Sequence, residues 1–179
     1  MDSTALLSKA LPCIRETGQW IQSAISQVKS GDIIYKGTND LVSFVDQQAE
    51  SKLKEGLSAI FPEAQFIAEE SDANYDVVGH GYYWVIDPLD GTTNFLHGLP
   101  VYAVSVGLIH HKQPILGMIY EPNRDEMFYA SKGNGAFLND KPIQVSATQA
   151  LASSLLATGF PYYDFSYQDR YLDLLKELM

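Results

Sequence analysis

Cysteine is nearly absent from this chain: Cys13 is the single one among 179 residues. An intramolecular disulfide is therefore excluded, which fits a reducing compartment. Basic residues are also scarce, 12 Lys and Arg against 22 Asp and Glu, giving a net charge of -10. A nucleic-acid-binding surface is normally basic, so this balance argues against one. Long apolar runs are missing, and no stretch approaches the roughly 18 residues that a transmembrane helix needs. The N-terminus lacks a basic region followed by an apolar run, so no signal peptide is expected. Gly-rich Walker loops and Gly-x-Ser-x-Gly elbows are absent too. These absences predict a soluble, cytoplasmic protein without a nucleic-acid or membrane partner.

What remains is enough for a packed core, since 46% of the residues are hydrophobic and 19% charged. The length suggests one domain, or about one and a half. Helical spacing of apolar residues covers 3–29, with Pro12 predicting a kink near Leu11. Residues 33–35 are a short strand candidate and 36–40 a loop. A second helix is expected over 41–61, its apolar face made by Val42, Val45, Ala49, Leu53, Leu57 and Ile60. Asp46 sits beside that stripe, where a carboxylate needs a partner.

Residues 64–68 form a strand candidate that ends in Glu69-Glu70-Ser71-Asp72. Residues 82–86 form another, breaking at Pro88 into Asp87-Pro88-Leu89-Asp90-Gly91-Thr92-Thr93. Gly91 permits a tight turn, and the threonines suit the start of a short helix over 92–96. Strand candidates then follow at 102–110, 115–120, 127–130, 136–138 and 143–145, with turns such as His111-Lys112-Gln113-Pro114 between them. Short connections force antiparallel neighbours. The fold class expected is α+β, an antiparallel sheet flanked by two long N-terminal helices. One more strand is expected at 153–157 and a helix over 168–179.

The acidic residues carry the chemistry. Glu69, Glu70, Asp87 and Asp90 end apolar segments, and strand ends can converge on one sheet edge. Carboxylates that close repel unless a cation lies between them. Mg²⁺ takes oxygen ligands and keeps water and substrate phosphate in its shell, and a helix N-terminus beside it can hold a phosphate. Each feature also has an ordinary reading. A Glu-Glu pair after a strand is usually solvated, Asp-Pro is usually a turn, and Asp46 and Lys36 are ordinary surface residues by default. Two other motifs are disfavoured. The Asp-x-x-Asp spacing is one residue too long for an aspartyl phosphatase of the haloacid dehalogenase kind, and the ligand pattern of an EF-hand is missing.

The run 84–97, Trp-Val-Ile-Asp-Pro-Leu-Asp-Gly-Thr-Thr-Asn-Phe-Leu-His, resembles the signature of the inositol monophosphatase family of metal-dependent, lithium-sensitive phosphatases. Phe66 to Ser71 resembles the family's upstream acidic motif, with Ala68 where Gly is common. Lys36, Asp40-Leu41-Val42, Asp46, Gly133 to Phe137 and Leu155 to Pro161 are similar to further family segments. The resemblance implies the N-terminal part of a layered αβαβα sugar-phosphatase fold. Residues 1–150 would be a metal- and phosphate-binding domain, and 151–179 the start of a second α/β domain, cut short. It implies Glu69, Asp87, Asp90 and the Leu89 carbonyl as ligands of two or three Mg²⁺ ions. Thr92 with Asp46 would orient the attacking water, Glu70 would act through water, and the Gly91 and Thr92 amides would hold phosphate. Lys36 would lie in a mobile loop near the metals, and a homodimer is implied.

The family's Trp-Asp-x-Ala-Ala-Gly segment, whose Asp is a further ligand, does not occur here, so one ligand is expected beyond Met179. The activity implied is Mg²⁺-dependent hydrolysis of a small polyol or sugar phosphate, inositol monophosphate first, by metal-activated water. Fructose 1,6-bisphosphate, 3′-phosphoadenosine 5′-phosphate and histidinol phosphate are alternative substrates. A non-catalytic regulatory scaffold is the alternative of another class. The 179 residues alone are expected to be weakly active or inactive.

Overall fold

The structure is a computed structural model that describes residues 2–27, 34–37, 40–71, 79–160 and 164–179, with only the backbone for 34–37 and 40–42. The first helix, α1 (Ser3–Ala24), is capped by the Asp2 carboxylate, which accepts from the Thr4 and Ala5 amides at 3.0 and 3.2 Å. The expected kink at Pro12 does not interrupt it. Pro12 lies on the exposed side, where the carbonyl it frees can bond water, while Ala10 and Ile14 on the opposite side are fully buried. A 3-10 turn, Ile25–Gln27, follows α1, and the expected helix end at 28–29 lies outside the described residues.

Strands β1 (Ile34–Gly37) and β2 (Asp40–Val42) form an antiparallel pair where a short strand and a loop were expected. Helix α2 (Phe44–Ile60) accordingly begins three residues later than its apolar pattern suggests. The reason is the N-cap. Ser43 accepts from the Val45 amide at 3.1 Å, and Asp46 closes a capping box by accepting from the Ser43 amide at 2.8 Å.

The main sheet has seven strands in sequence order: β3 (Gln65–Ala68), β4 (Tyr82–Asp90), β5 (Ala103–His110), β6 (Gln113–Glu121), β7 (Glu126–Ser131), β8 (Ala136–Leu138) and β9 (Lys141–Ile143). It is mixed, not purely antiparallel as expected. β3 pairs parallel to β4 in the register Ala68↔Ile86, while every later pair is antiparallel. Residues 69–81 are long enough for the crossover that parallel neighbours require. Pro88 does not end β4 either. The strand continues to Asp90 with its register shifted between Asp87 and Asp90, and a shifted, unpaired position is where a sheet tolerates proline.

One sheet face is covered by α1 and α2. Trp84, Ile86, Val104, Val106, Leu108, Met118 and Tyr120 alternate onto it and are at most 2% exposed. Leu53 and Leu57 of α2 meet them fully buried, and truncating either to Ala should cost about 2–5 kcal/mol. The opposite face carries Val85, Asp87, Ser105, Gly107, Gly117 and Ile119, and lines a cleft of about 670 Å³. The strand expected at 153–157 is not formed. A 3-10 turn covers Leu151–Ser153, and no strand of the sheet pairs with 154–160. Helix α4 (Gln168–Leu178) is present where expected and buries no residue.

Candidate functional site

The site grows from the parallel pairing of β3 and β4. Both strands run apolar and both end in acid. Because their register is parallel, the two acidic ends fall side by side: the Glu69 amide donates to the Ile86 carbonyl at 3.2 Å, placing Glu69 next to Asp87. The Glu69 side chain lies within hydrogen-bonding reach of Asp87 when one of the two is protonated, and Asp90 adds negative charge nearby. Burial first, then the bond to and charge of Glu69, then Asp90, push the Asp87 carboxyl up to about 8. The Leu89 amide, donating to Asp87 Oδ1 at 3.2 Å, works in the opposite direction. Asp87 is thus the carboxyl group that holds a proton most readily at this edge.

The elbow that follows is held by geometry only glycine satisfies. Gly91 has φ +99°, and a Cβ there would lie 2.9 Å from the Val101 carbonyl oxygen. Gly91 caps the short helix α3 (Thr92–Leu96) without a side-chain bond, so the cap is backbone alone and not the threonines expected from sequence. Thr92 Oγ1 lies 2.8 Å from Asp46 Oδ1 and 2.9 Å from the Leu89 carbonyl oxygen. One hydroxyl has one proton to donate, so these two acceptors compete for it.

Asp46 is 1% exposed, and its other oxygen accepts from both the Ser43 amide and the Ser43 hydroxyl, at 2.8 and 2.7 Å. The sequence-predicted neighbours Thr92, Asp46 and Leu89 are therefore in direct contact, as are Glu69 and Asp87. Asp90 and Glu69 face solvent. Lys36 sits in strand β1 and not in the loop expected, and its side chain lies outside the described residues. Glu70 is held by its backbone: its amide donates to Glu50 Oε2 at 2.9 Å.

Glu50 and Ser43 were missed by sequence reasoning. Glu50 is 5% exposed, pairs with Lys54 at 3.1 Å, and accepts from the Ser71 hydroxyl as well as the Glu70 amide. Its signal was available, because it lies one helical turn after Asp46 on the same face. The signal for Ser43 was the Ser-x-x-Asp capping box.

Among the described residues no three His, Cys, Asp or Glu are arranged as a ready-made metal cage. The donor set is nonetheless all oxygen: the adjacent carboxyl groups of Glu69 and Asp87, a third carboxylate beside them and a backbone carbonyl at the bend. A hard divalent cation of the Mg²⁺ type fits such a set, since it takes one or two carboxylates and fills its shell with water and substrate oxygen. It would replace the proton that Asp87 holds.

An acidic, oxygen-donor elbow on the edge of a helix-backed α+β sheet defines the class. The chain belongs to the inositol monophosphatase family, whose model matches residues 2–169. It is 40% identical over 173 residues to a protein of Neisseria meningitidis serogroup B named a putative Nus factor SuhB, covering 97% of this chain and 66% of that one. It is 34% identical over 179 residues to an inositol-1-monophosphatase of Rhizobium meliloti, covering 100% of this chain and 67% of the relative. The solved structure of the extragenic suppressor protein suhB from Bartonella henselae superposes with a TM-score of 0.87 at 35% identity, over 98% of this chain and 67% of that one. The chain thus spans about two thirds of the length of the curated relatives it matches. Among the described residues no helix is long and apolar enough to cross a membrane.

Proposed function

We propose that the protein is a Mg²⁺-dependent, lithium-sensitive phosphomonoesterase acting on a small polyol or sugar phosphate, inositol monophosphate first. The observation that carries this reading is the convergence, at one sheet edge, of the Glu69–Asp87 pair with the Thr92–Asp46 hydrogen bond. When bound, the cation supplies charge neutralisation at the phosphate and acidifies water. Glu69, Asp87, Asp90 and the Leu89 carbonyl would hold it. The residues then divide the remaining work. Thr92 accepts a proton from water at Oγ1 while donating its own to Asp46, whose Ser43 bonds fix the direction of transfer. Engaging the Leu89 carbonyl elsewhere removes the competing acceptor and commits the Thr92 hydroxyl to Asp46. The Gly91 and Thr92 amides, at the start of a helix where N–H groups lack intrahelical partners, orient the phosphate. Glu70, fixed through Glu50, serves a water in the outer layer.

Residues 151–179 are taken to open a second unit that packs against the uncovered sheet face. Leu155, Phe160 and Ile119 are 100%, 66% and 46% exposed, which supports that packing. A homodimer in the cytoplasm completes the reading. The test is phosphate release from inositol 1-phosphate by the full-length protein, with and without Mg²⁺. The same assay with fructose 1,6-bisphosphate, 3′-phosphoadenosine 5′-phosphate and histidinol phosphate ranks substrates by kcat/KM. Release that persists in Asp87→Asn would remove the assigned roles. A second reading, a non-catalytic partner-binding scaffold, is favoured by the relatives named as Nus factors, and stands if no phosphate ester is hydrolysed.

A further inference from the structure

At the other end of β4, five residues and about 16 Å from Asp87, two histidines from separate segments meet. His80 Nδ1 and His111 Nδ1 are 3.2 Å apart, a hydrogen bond in which one ring donates and the other accepts. Both side chains are exposed, so a metal ion there would take the place of that bridging proton. His80 precedes β4, and His111 opens the two-residue turn between β5 and β6. His110 stacks on Tyr82 at 4.0 Å between ring centroids and lies 3.9 Å from His111, backing the pair with a wall of rings.

The turn is unusual in composition. His111 and Lys112 have φ 50° and 62°, a conformation for which Asn-Gly or Asp-Gly is preferred. The same molecule follows that preference more closely at its other such turn, Asn139-Asp140, with φ 46° and 66°. A lysine in the left-handed region is disfavoured, so this turn is held at some cost.

We propose that His80 and His111 form a two-ligand site for a borderline transition ion, Zn²⁺ or Cu²⁺, separate from the acidic elbow. Two bonds of about 2.0–2.1 Å at the tetrahedral angle put ligand nitrogens about 3.4 Å apart, close to the separation found. Imidazole selects these ions over Mg²⁺, the reverse of the preference of the elbow's carboxylates. Water completes the shell. Binding ties the β5–β6 turn to the segment entering β4.

The test uses the full-length protein with Mg²⁺ in excess, so that the elbow is occupied. Zn²⁺ and Cu²⁺ titrations are followed by calorimetry, and the Zn²⁺ titration also by NMR of the histidine rings. The expected result is one ion per chain with shifts at the His80 and His111 rings. His80→Ala and the double variant His111→Asn/Lys112→Gly should bind at least about tenfold more weakly, the smallest loss seen when even an outer partner of a ligand is removed. The double variant carries the preferred turn, so its metal-free melting temperature should equal or exceed the parent's and exclude misfolding as the cause. Zn²⁺ at ten times the parent's Kd should raise melting of the parent by about 3–6 °C and of the variants by no more than about 1–2 °C. Unchanged affinity in the variants, unmoved His80 and His111 resonances, or no binding in excess Mg²⁺ would each overturn the proposal.

Discussion

Replacing Thr92 with Val removes a hydroxyl and adds a methyl of similar size, so the change makes almost no cavity. What is lost is the donor to Asp46 Oδ1, 2.8 Å away. Asp46 is 1% exposed, and its remaining partners, the Ser43 amide and hydroxyl, both address Oδ2. A buried carboxylate oxygen is then stripped of a charge-assisted bond, a loss of about 1–3 kcal/mol. Thr92 itself is only half-buried, so water can partly replace it, and the lower part of that range, about 1–2 kcal/mol, is expected. For a chain of this size that lowers Tm by about 2–8 °C. Thr92→Ser keeps the hydroxyl and should recover most of the loss. The assay is thermal denaturation in EDTA, where metal binding cannot contribute. In parallel, kcat with Mg²⁺ should fall about 10²–10⁴-fold in the Val variant, the size of a lost general-base contribution. If Thr92→Val melts with the parent, Asp46 does not depend on this bond. If it melts lower but turns over normally, the bond is structural and the catalytic role is wrong.

Asp87→Asn should stabilise the metal-free protein at pH 8 by at least about 1 kcal/mol. The folded-state carboxyl of Asp87 is raised to about 8 from an ordinary value of 3.8. Its contribution is therefore full below about pH 4 and lost as pH rises through about 8. The variant lacks that dependence, so a Tm difference between the two that stays flat from pH 4 to 8 in EDTA would refute the raised Asp87 carboxyl. Gly91→Ala must place a Cβ 2.9 Å from the Val101 oxygen at φ +99°, and should lose about 1–3 kcal/mol by urea unfolding. Glu50→Gln weakens the grip on the Glu70 amide; the Mg²⁺ concentration giving half-maximal rate should rise about tenfold, in line with loss of an outer-layer partner.

The helices, the elbow and the later hairpins were legible because period and turn chemistry are local. Periodicity located α1 and α2, and the glycine in Asp-Gly-Thr-Thr announced the left-handed bend. The parallel step was not legible. A parallel pair is made by a crossover whose direction no residue in β3 or β4 records, and the run of tight turns further along favoured antiparallel neighbours throughout. That error bears on chemistry. With β3 and β4 antiparallel, Glu69 and Asp87 would sit at opposite ends of the pair. Pro88 was misread for a related reason: its missing amide ends a regular ladder but suits a shifted one, and the shift depends on β5. The failure at 153–157 has another cause, since an apolar segment becomes a strand only beside an edge that will pair with it.

Two carboxylates of α2, Asp46 expected from sequence and Glu50 missed, explain how the site keeps its shape. Asp46 and Glu50 are one turn apart on α2, so their side chains leave the same face about 6 Å from each other. Asp46 binds the elbow after β4 through Thr92, and Glu50 binds the bend after β3 through the Glu70 amide. One rigid helix therefore sets the spacing between the two strand ends that carry Glu69 and Asp87. Carboxylates left to themselves would move apart to lower their repulsion. The helix opposes that movement with buried, charge-assisted bonds from beneath, and its own position is fixed by Val45, Ala49, Leu53 and Leu57, all fully buried. The repulsion is thus retained in the folded state, where a proton on Asp87 relieves it, and the core contacts of α2 hold the two strand ends at that spacing.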